Sequence, residues 1–425
     1  MTPGEGLDLV GRATARAHSY LKRHPRLRAR LIRWFNRSRR LLDRIGGGAA
    51  SELSGYADPH EWVGRWNSDP DRPAARIHDV LQAEKTSSAP PMGIHGRIDP
   101  EYLQVASVEI PQPFVLDVPG GHVLGENGAV ATADGLVIER ASRPVGSLLG
   151  HLTGSQADHM SPAVLHDDWA RRPVRVRRAA VLSTYVGRGY FHWLFDVLPR
   201  LALLEAAGEH LSSIDSFVVP SYFARYQVES MTRFGIGRDR VIGSFRHRHV
   251  VADSLLVPSL PREMGLTPRW VCDFLRETYL PVAPEGVEPA RRIYIIRRST
   301  DHGLLANEER LINRLNGLGF TPIAMEDYSL EEKAWLLGQA EVVMSASGGG
   351  MSNIVFCEPG TVVIELRVQP FPLMDGWDIA SRLGLRFYDV LPDGYERSYT
   401  MDALLWGGIS PEAVMATLEL AGITE

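Results

Sequence analysis

His192 and Asp196 lie four residues apart in the run Gly189-Tyr190-Phe191-His192-Trp193-Leu194-Phe195-Asp196-Val197-Leu198-Pro199-Arg200. On a helix that spacing puts both side chains on one face. An imidazole beside a carboxylate can take a proton from a hydroxyl, and either group is a candidate base. Spacing alone does not separate this from a capping or core pair. The second feature is the loop Ser345-Ala346-Ser347-Gly348-Gly349-Gly350-Met351-Ser352-Asn353. A glycine-rich turn from a strand into a helix presents main-chain N–H groups to a phosphate, here with hydroxyls alongside. It carries neither the G-x-G-x-x-G fingerprint nor a Gly-Lys-Ser/Thr phosphate loop. Ser347 as a hydrolase nucleophile fails on chain order, because all 14 histidines lie at or before His302. Third, Tyr294-Ile295-Ile296 ends in Arg297 and Arg298. Guanidinium groups at a strand's carboxyl end suit a phosphate. Glu365, at the end of another apolar run, is placed at the crevice edge, where it can accept from a ribose hydroxyl. No spacing matches a zinc site.

These residues need strands and helices to hold them. From residue 178 onward, strand and helix patterns alternate. Strands are expected at 179–184, 217–219, 249–257, 292–296, 320–325, 341–345 and 361–366. Helices are expected at 190–207, 221–234 and 268–280. Further helices should start at Asn307, at the capping box Ser329/Glu332, and at Ser410-Pro411-Glu412, the last of these packing across the domains. This alternation implies α/β architecture with parallel, doubly wound sheets. Residues 101–140 read instead as a small antiparallel β unit, with runs at 103–110, 114–118, 122–124 and 136–138 broken by Gly-containing turns. Residues 49–100, rich in Pro, Asp and Ser, read as a loose connection with one short helix at 74–82. The domain expectation is a basic helix region over 1–48, the connection over 49–100, an acceptor-side domain over 101–280, and a C-terminal Rossmann-like domain over 281–425.

The chain has 425 residues and a net charge of −5. The sum hides a split, since residues 1–44 carry net +9 and residues 45–425 net −14. An acidic body argues against nucleic-acid binding. Apolar residues at helical spacing over 26–45, with arginines on the other faces and Gly46-Gly47-Gly48 at the end, describe a basic amphipathic helix. Such a helix can lie on an anionic membrane surface, dock on the acidic body, or serve as an arm for a partner chain, including a second copy of this one. Cys272 and Cys357 form no metal or redox spacing and read as small buried hydrophobes. No run reaches the roughly 18 apolar residues of a span, and no secretory signal is evident. The expected location is the cytoplasm, with peripheral contact at the inner face of the membrane.

Three motifs together resemble glycosyltransferase family 61, in its bacterial capsular-polysaccharide branch. They are the helix motif at 190–200, the Tyr-Ile-x-Arg-Arg strand with Asn307-Glu308-Glu309 after it, and the loop at 348–353 followed by Pro359-Gly360-Thr361-Val362-Val363-Ile364-Glu365-Leu366. The resemblance spans about residues 100–370. It implies two Rossmann-like domains facing a cleft (a GT-B-type fold). It also implies a nucleotide-sugar donor as substrate with no cofactor, and inverting, metal-independent transfer to a surface-glycan or lipid-linked acceptor. The implied donor-binding set is Arg297, Arg298, Ser345, Ser347, Gly348, Gly349, Gly350, Met351, Ser352, Asn353 and Glu365, with His192 or Asp196 as base. Where members usually carry a loop His, this chain has Ser347, and the usual Arg ahead of Asn307-Glu308 is missing. A second expectation therefore stands beside the first, of a catalytically reduced member acting as a glycan- or nucleotide-binding scaffold.

Overall fold

The computed structural model describes residues 53–94, 96, 98–142, 162–263, 265–279, 283–296, 308–368, 372–392 and 409–423, all within one compact unit, Glu52–Glu425. The basic segment 26–45, Arg297, Arg298 and Asn307 lie outside the described residues.

The second half holds five parallel strands, Arg292–Ile296, Thr321–Ala324, Val342–Ala346, Val362–Leu366 and Arg386–Val390. Their spatial order is second, first, third, fourth, fifth. This is a doubly wound order, with its switch point between the first and third strands. Alternate residues face opposite layers. Ile293, Ile295, Val343 and Val363 pack with the helices Leu330–Gly338 and Met374–Leu383. Tyr294, Met344, Ile364 and Tyr388 pack with Glu308–Asn316 and Pro411–Leu420. The last helix thus covers the outer face of this sheet, pinned by Arg314 to Glu412 at 2.7 Å, and does not cross between the two halves as expected.

The first half is built on a ten-stranded mixed sheet. Its parallel part places His249–Pro258 beside Val174–Val181, then Ser216–Val219 and Val241–Gly243. The antiparallel unit expected over 101–140 is present, with His122–Leu124, Ala129–Ala131 and Leu136–Ile138 pairing antiparallel in turn, and it is continuous with the parallel part. Phe114–Pro119 and His122–Leu124 pair antiparallel along the other edge of His249–Pro258, so one sheet runs through both. The cause is that ten-residue strand, long enough and buried enough to pair on both edges. Residues 103–110 are also not one strand, since Pro100–Gln104 is a helix and only Glu109–Ile110 is extended.

Between the sheets lies one helical layer, in which Leu194, Leu198 and Leu204 share a buried cluster with Leu336, Ile354 and Trp377. The segment read as a loose connection is ordered, its first part on the opposite face of the first sheet and its later part against this layer. Pro59–Trp66 is a helix capped by Asp58, and Arg76–Asp79 is a strand on Phe114–Pro119 where a helix was expected. Met92 bridges to the edge strand at Tyr388, and Trp377 Nε1 donates to Ala89 O at 2.7 Å. Distant partners decide these residues, and a local propensity reading does not contain them.

His122 Nδ1 lies 2.9 Å from His249 Nε2, and both rings stack near Trp169. Burial, then His249, push His122 down from 6.5 to about 4. Burial also lowers His249. A histidine held neutral by the fold stabilises it above the unfolded value and ceases to as pH falls through the folded one. The stability contributed here is therefore complete above about pH 6.5 and lost toward pH 4. Urea unfolding of His122→Phe should show a flatter dependence across that window than the parent chain.

Candidate active site

The helix carrying His192 is not continuous over 190–207. Tyr190–His192 is a single α-turn, Trp193–Val197 is a π-turn, and the α-helix resumes at Pro199–Ala206. Pro199 has no N–H to give Phe195, and its ring would clash with that carbonyl. The chain widens instead, with Leu198 N donating to Trp193 O at 3.0 Å. Such wide turns recur at functional sites.

His192 Nδ1 lies 2.6 Å from Asp196 Oδ2. The imidazole side chain is 34% exposed and the carboxylate 14%, so the ring is the group open to a substrate. Burial raises the Asp196 carboxyl, but Arg262 and His192 more than reverse this and hold it below the usual carboxylate range. A carboxylate so held is an anion that orients a neighbouring imidazole and stabilises its protonated form. Arg262 Nη1 sits 3.6 Å from Asp196 Oδ2 and Nη2 3.0 Å from Asp375 Oδ1, while its guanidinium lies 4.4 Å from the Phe191 ring centre. Asp375 opens the helix Met374–Leu383 of the second half. Sequence reading misses Arg262 and Asp375. Both stand alone in Pro-rich or apolar surroundings, and only the tertiary fold brings them to Asp196.

The glycine loop lies at the carboxyl end of the third strand, over the switch point. Gly348 has φ +133°, a conformation that disfavours a side chain. A Cβ at Gly350 would sit 3.3 Å from Ile295 Cγ2 and 3.5 Å from Ser345 Oγ, so the loop crosses the ends of both central strands closely. Gly349–Phe356 is a 3₁₀ helix, and its first amides have no intrahelical acceptor. Gly349 is exposed, and Gly348 and Gly350 are half-buried. The side chains expected to help are turned inward. Ser345 Oγ donates to Ala346 O at 3.0 Å and Ser347 Oγ to Leu366 O at 3.2 Å, while Met351, Ser352 and Asn353 are buried. What the loop offers a ligand is main chain. Gly348→Ala should strain this turn by about 1–3 kcal/mol and weaken any nucleotide-dependent rise in melting temperature.

Glu365 does not stand at an open crevice edge. It is 3% exposed, and a Cβ at Gly376 would lie 3.4 Å from its Oε2. Burial, then Asp389, push it up to about 8, with Ser347 and Arg367 opposing. At neutral pH it is mostly a neutral acid, suited to fixing Ser347 beneath the loop. Beside it, Arg367 pairs with Asp99 and Asp389, and its Nη2 donates to Tyr102 Oη at 3.1 Å.

The helix and the loop meet. Tyr190 Oη donates to Asn353 Oδ1 at 2.6 Å, and Asn353 Nδ2 donates to Gly350 O at 2.9 Å. Two hydrogen bonds therefore connect the turn that holds His192 to the glycine loop. Residues 190–364 match the model of the family described as Glycosyltransferase 61. Over this stretch the chain is similar to glycosyltransferase family 61. The matched segment opens at Tyr190 and takes in the His192–Asp196 pair, the strand Arg292–Ile296 and the glycine loop. That family is one of glycosyltransferases, a class that uses a sugar donor and a glycan acceptor. No curated protein matches the chain. A hollow of about 560 Å³ lined by Arg291, Gly317, Gly319 and Glu341 lies at the amino ends of the second half's strands, away from both His192 and the loop. Strand polarity places ligands at the other end.

Proposed function

We propose that this chain is an inverting, metal-independent family-61 glycosyltransferase that moves a sugar from a nucleotide-sugar donor to a surface-glycan or lipid-linked acceptor. The observation that carries this reading is the hydrogen-bonded path from Tyr190 through Asn353 to Gly350. It joins a His–Asp pair to a phosphate-type loop. The donor diphosphate rests against the amides of 348–350, and Arg297 and Arg298, expected from the sequence to add charge there, lie outside the described residues. Amides aimed at the diphosphate stabilise the charge that grows as the bond to the sugar breaks. His192, through Nε2, takes the proton of the acceptor hydroxyl as its oxygen attacks the anomeric carbon, and Asp196 stabilises the imidazolium. One displacement inverts the anomeric configuration. The two sheets are read as the acceptor and donor halves of a GT-B-type arrangement. The basic segment 26–45 is read as an anchor to an anionic membrane at its cytoplasmic face.

One observation favours a second reading, a scaffold of reduced activity. Ser347 stands where relatives are expected to carry His, and its hydroxyl is spent on Leu366 O. Thermal-shift screening against common nucleotide sugars, paired with nucleotide release, separates the two. The transferase binds a donor and releases nucleotide when acceptor is present, whereas a scaffold binds without release.

A further inference from the structure

The first sheet has a ligand end of its own. Its strand order reverses between His249–Pro258 and Val174–Val181, the usual place for a ligand in an open α/β sheet. Arg200 closes that place. Fully buried, it donates from Nε to Pro258 O at 3.1 Å, from Nη1 to Ser183 O at 2.8 Å and from Nη2 to Ala141 O at 3.3 Å. The next gap, toward Ser216–Val219, is open. A cavity of about 260 Å³ lies there, lined by Glu126, Asn127, Tyr185, Val186, Arg188 and Pro220.

The walls of this cavity are fixed. Ser244 Oγ donates to Glu126 O at 2.7 Å and lies 2.8 Å from Ser183 Oγ. The Arg188 guanidinium sits 4.5 Å from the Phe245 ring centre. Among the described residues, the side chains of Glu126, Asn127 and Arg188 have no hydrogen-bond partner. Val186, β-branched and exposed, is held at φ +52°, a costly conformation for such a residue. Its carbonyl accepts from Gly189 N at 2.9 Å, at the start of the His192 turn. At the mouth, Tyr185 and Phe245 are 37% and 45% exposed. A carboxylate and an amide in the cavity can hold hydroxyls, while flat aromatic faces at the rim can cover the C–H face of a ring. The cavity also neighbours the His192 turn along the chain, since Arg188 in its lining is followed by Gly189, the cap of Tyr190–His192.

We propose that this cavity is the acceptor subsite and takes a neutral sugar ring of the acceptor glycan, presenting one hydroxyl to His192. The proposal rests on the transferase reading above. Its volume, below the roughly 300–1,000 Å³ of larger ligand sites, suits a single ring.

The test is saturation-transfer NMR with methyl α- and β-glycosides of hexoses, N-acetylhexosamines and pentoses. It is run on the full chain and on Glu126→Gln and Tyr185→Ala, beside thermal shifts by nucleotide sugars. At least one glycoside should bind the parent chain, and each variant should weaken it by about tenfold while nucleotide-sugar shifts persist, which also shows that the variants fold. Equal glycoside binding by parent and variants overturns the proposal, as does no glycoside binding at all. Binding of anionic phosphatidylglycerol vesicles that Tyr185→Ala abolishes, without glycoside binding, overturns it in favour of a membrane contact. Loss of every nucleotide-sugar shift in the parent chain overturns the transferase reading and the acceptor role with it. The glycoside signal then still reports on the cavity.

Discussion

Replacing His192 by Ala should lower the turnover of sugar transfer by about 10²–10⁴-fold, the usual contribution of a positioned general base. The fold and nucleotide-sugar binding should survive. His192 is one-third exposed, and its only described hydrogen bond runs to Asp196, so truncation removes the base without opening the core. Asp196→Asn tests the other member. Its carboxylate is held ionised by Arg262, so it is an orienting anion and a poor proton acceptor at neutral pH. The amide keeps the shape but lets Nδ1 take the wrong tautomer, and turnover should fall with KM for the donor little changed. Steady-state kinetics with both variants decides the assignment. If His192→Ala retains parent-like turnover while Asp196→Asn loses it, the roles are reversed.

The second large effect is on stability. Arg367→Met should destabilise the fold by about 3–5 kcal/mol, because removing the cation of a buried ionic cluster strands its partners. Arg367 is 2% exposed and bonds Asp99, Asp389 and Tyr102, with the neutral Glu365 nearby. In the variant, the buried carboxylates that Arg367 held have lost their counter-ion, which disfavours the charged form of a buried carboxyl. Stability linked to a raised carboxyl is present at low pH and lost as pH rises. Urea unfolding should therefore show a smaller deficit at pH 5 than at pH 7. A deficit that is constant with pH would assign the loss to packing alone.

The second half was largely legible because its strands are buried on both faces and read as apolar runs. Arg292–Ile296 and the helix after the Ser329/Glu332 capping box lie where expected. The His192–Asp196 pair was legible because four-residue spacing survives even a widened turn, though the widening itself follows from Pro199. What was hidden depends on distance in the chain. Arg262 reaches Asp196 and Asp375, and Asp99 reaches Arg367, through contacts that no local period encodes. The hydroxyls of 345–353 were read as ligand groups because their types suit phosphate. The fold turns Ser345 and Ser347 onto neighbouring carbonyls and leaves the work to the glycine amides. Likewise Arg76–Asp79 took its conformation from the strand Phe114–Pro119 it pairs with.

The central claim is that a nucleotide sugar bound at the glycine loop gives up its sugar under the action of His192. Nucleotide release, measured across a panel of nucleotide sugars with glycoside acceptors for the parent chain and His192→Ala, tests it most directly. The account predicts release from at least one donor by the parent chain and its near-complete loss in the variant, with the donor-induced rise in melting temperature kept in both. No binding and no release from any donor would contradict it.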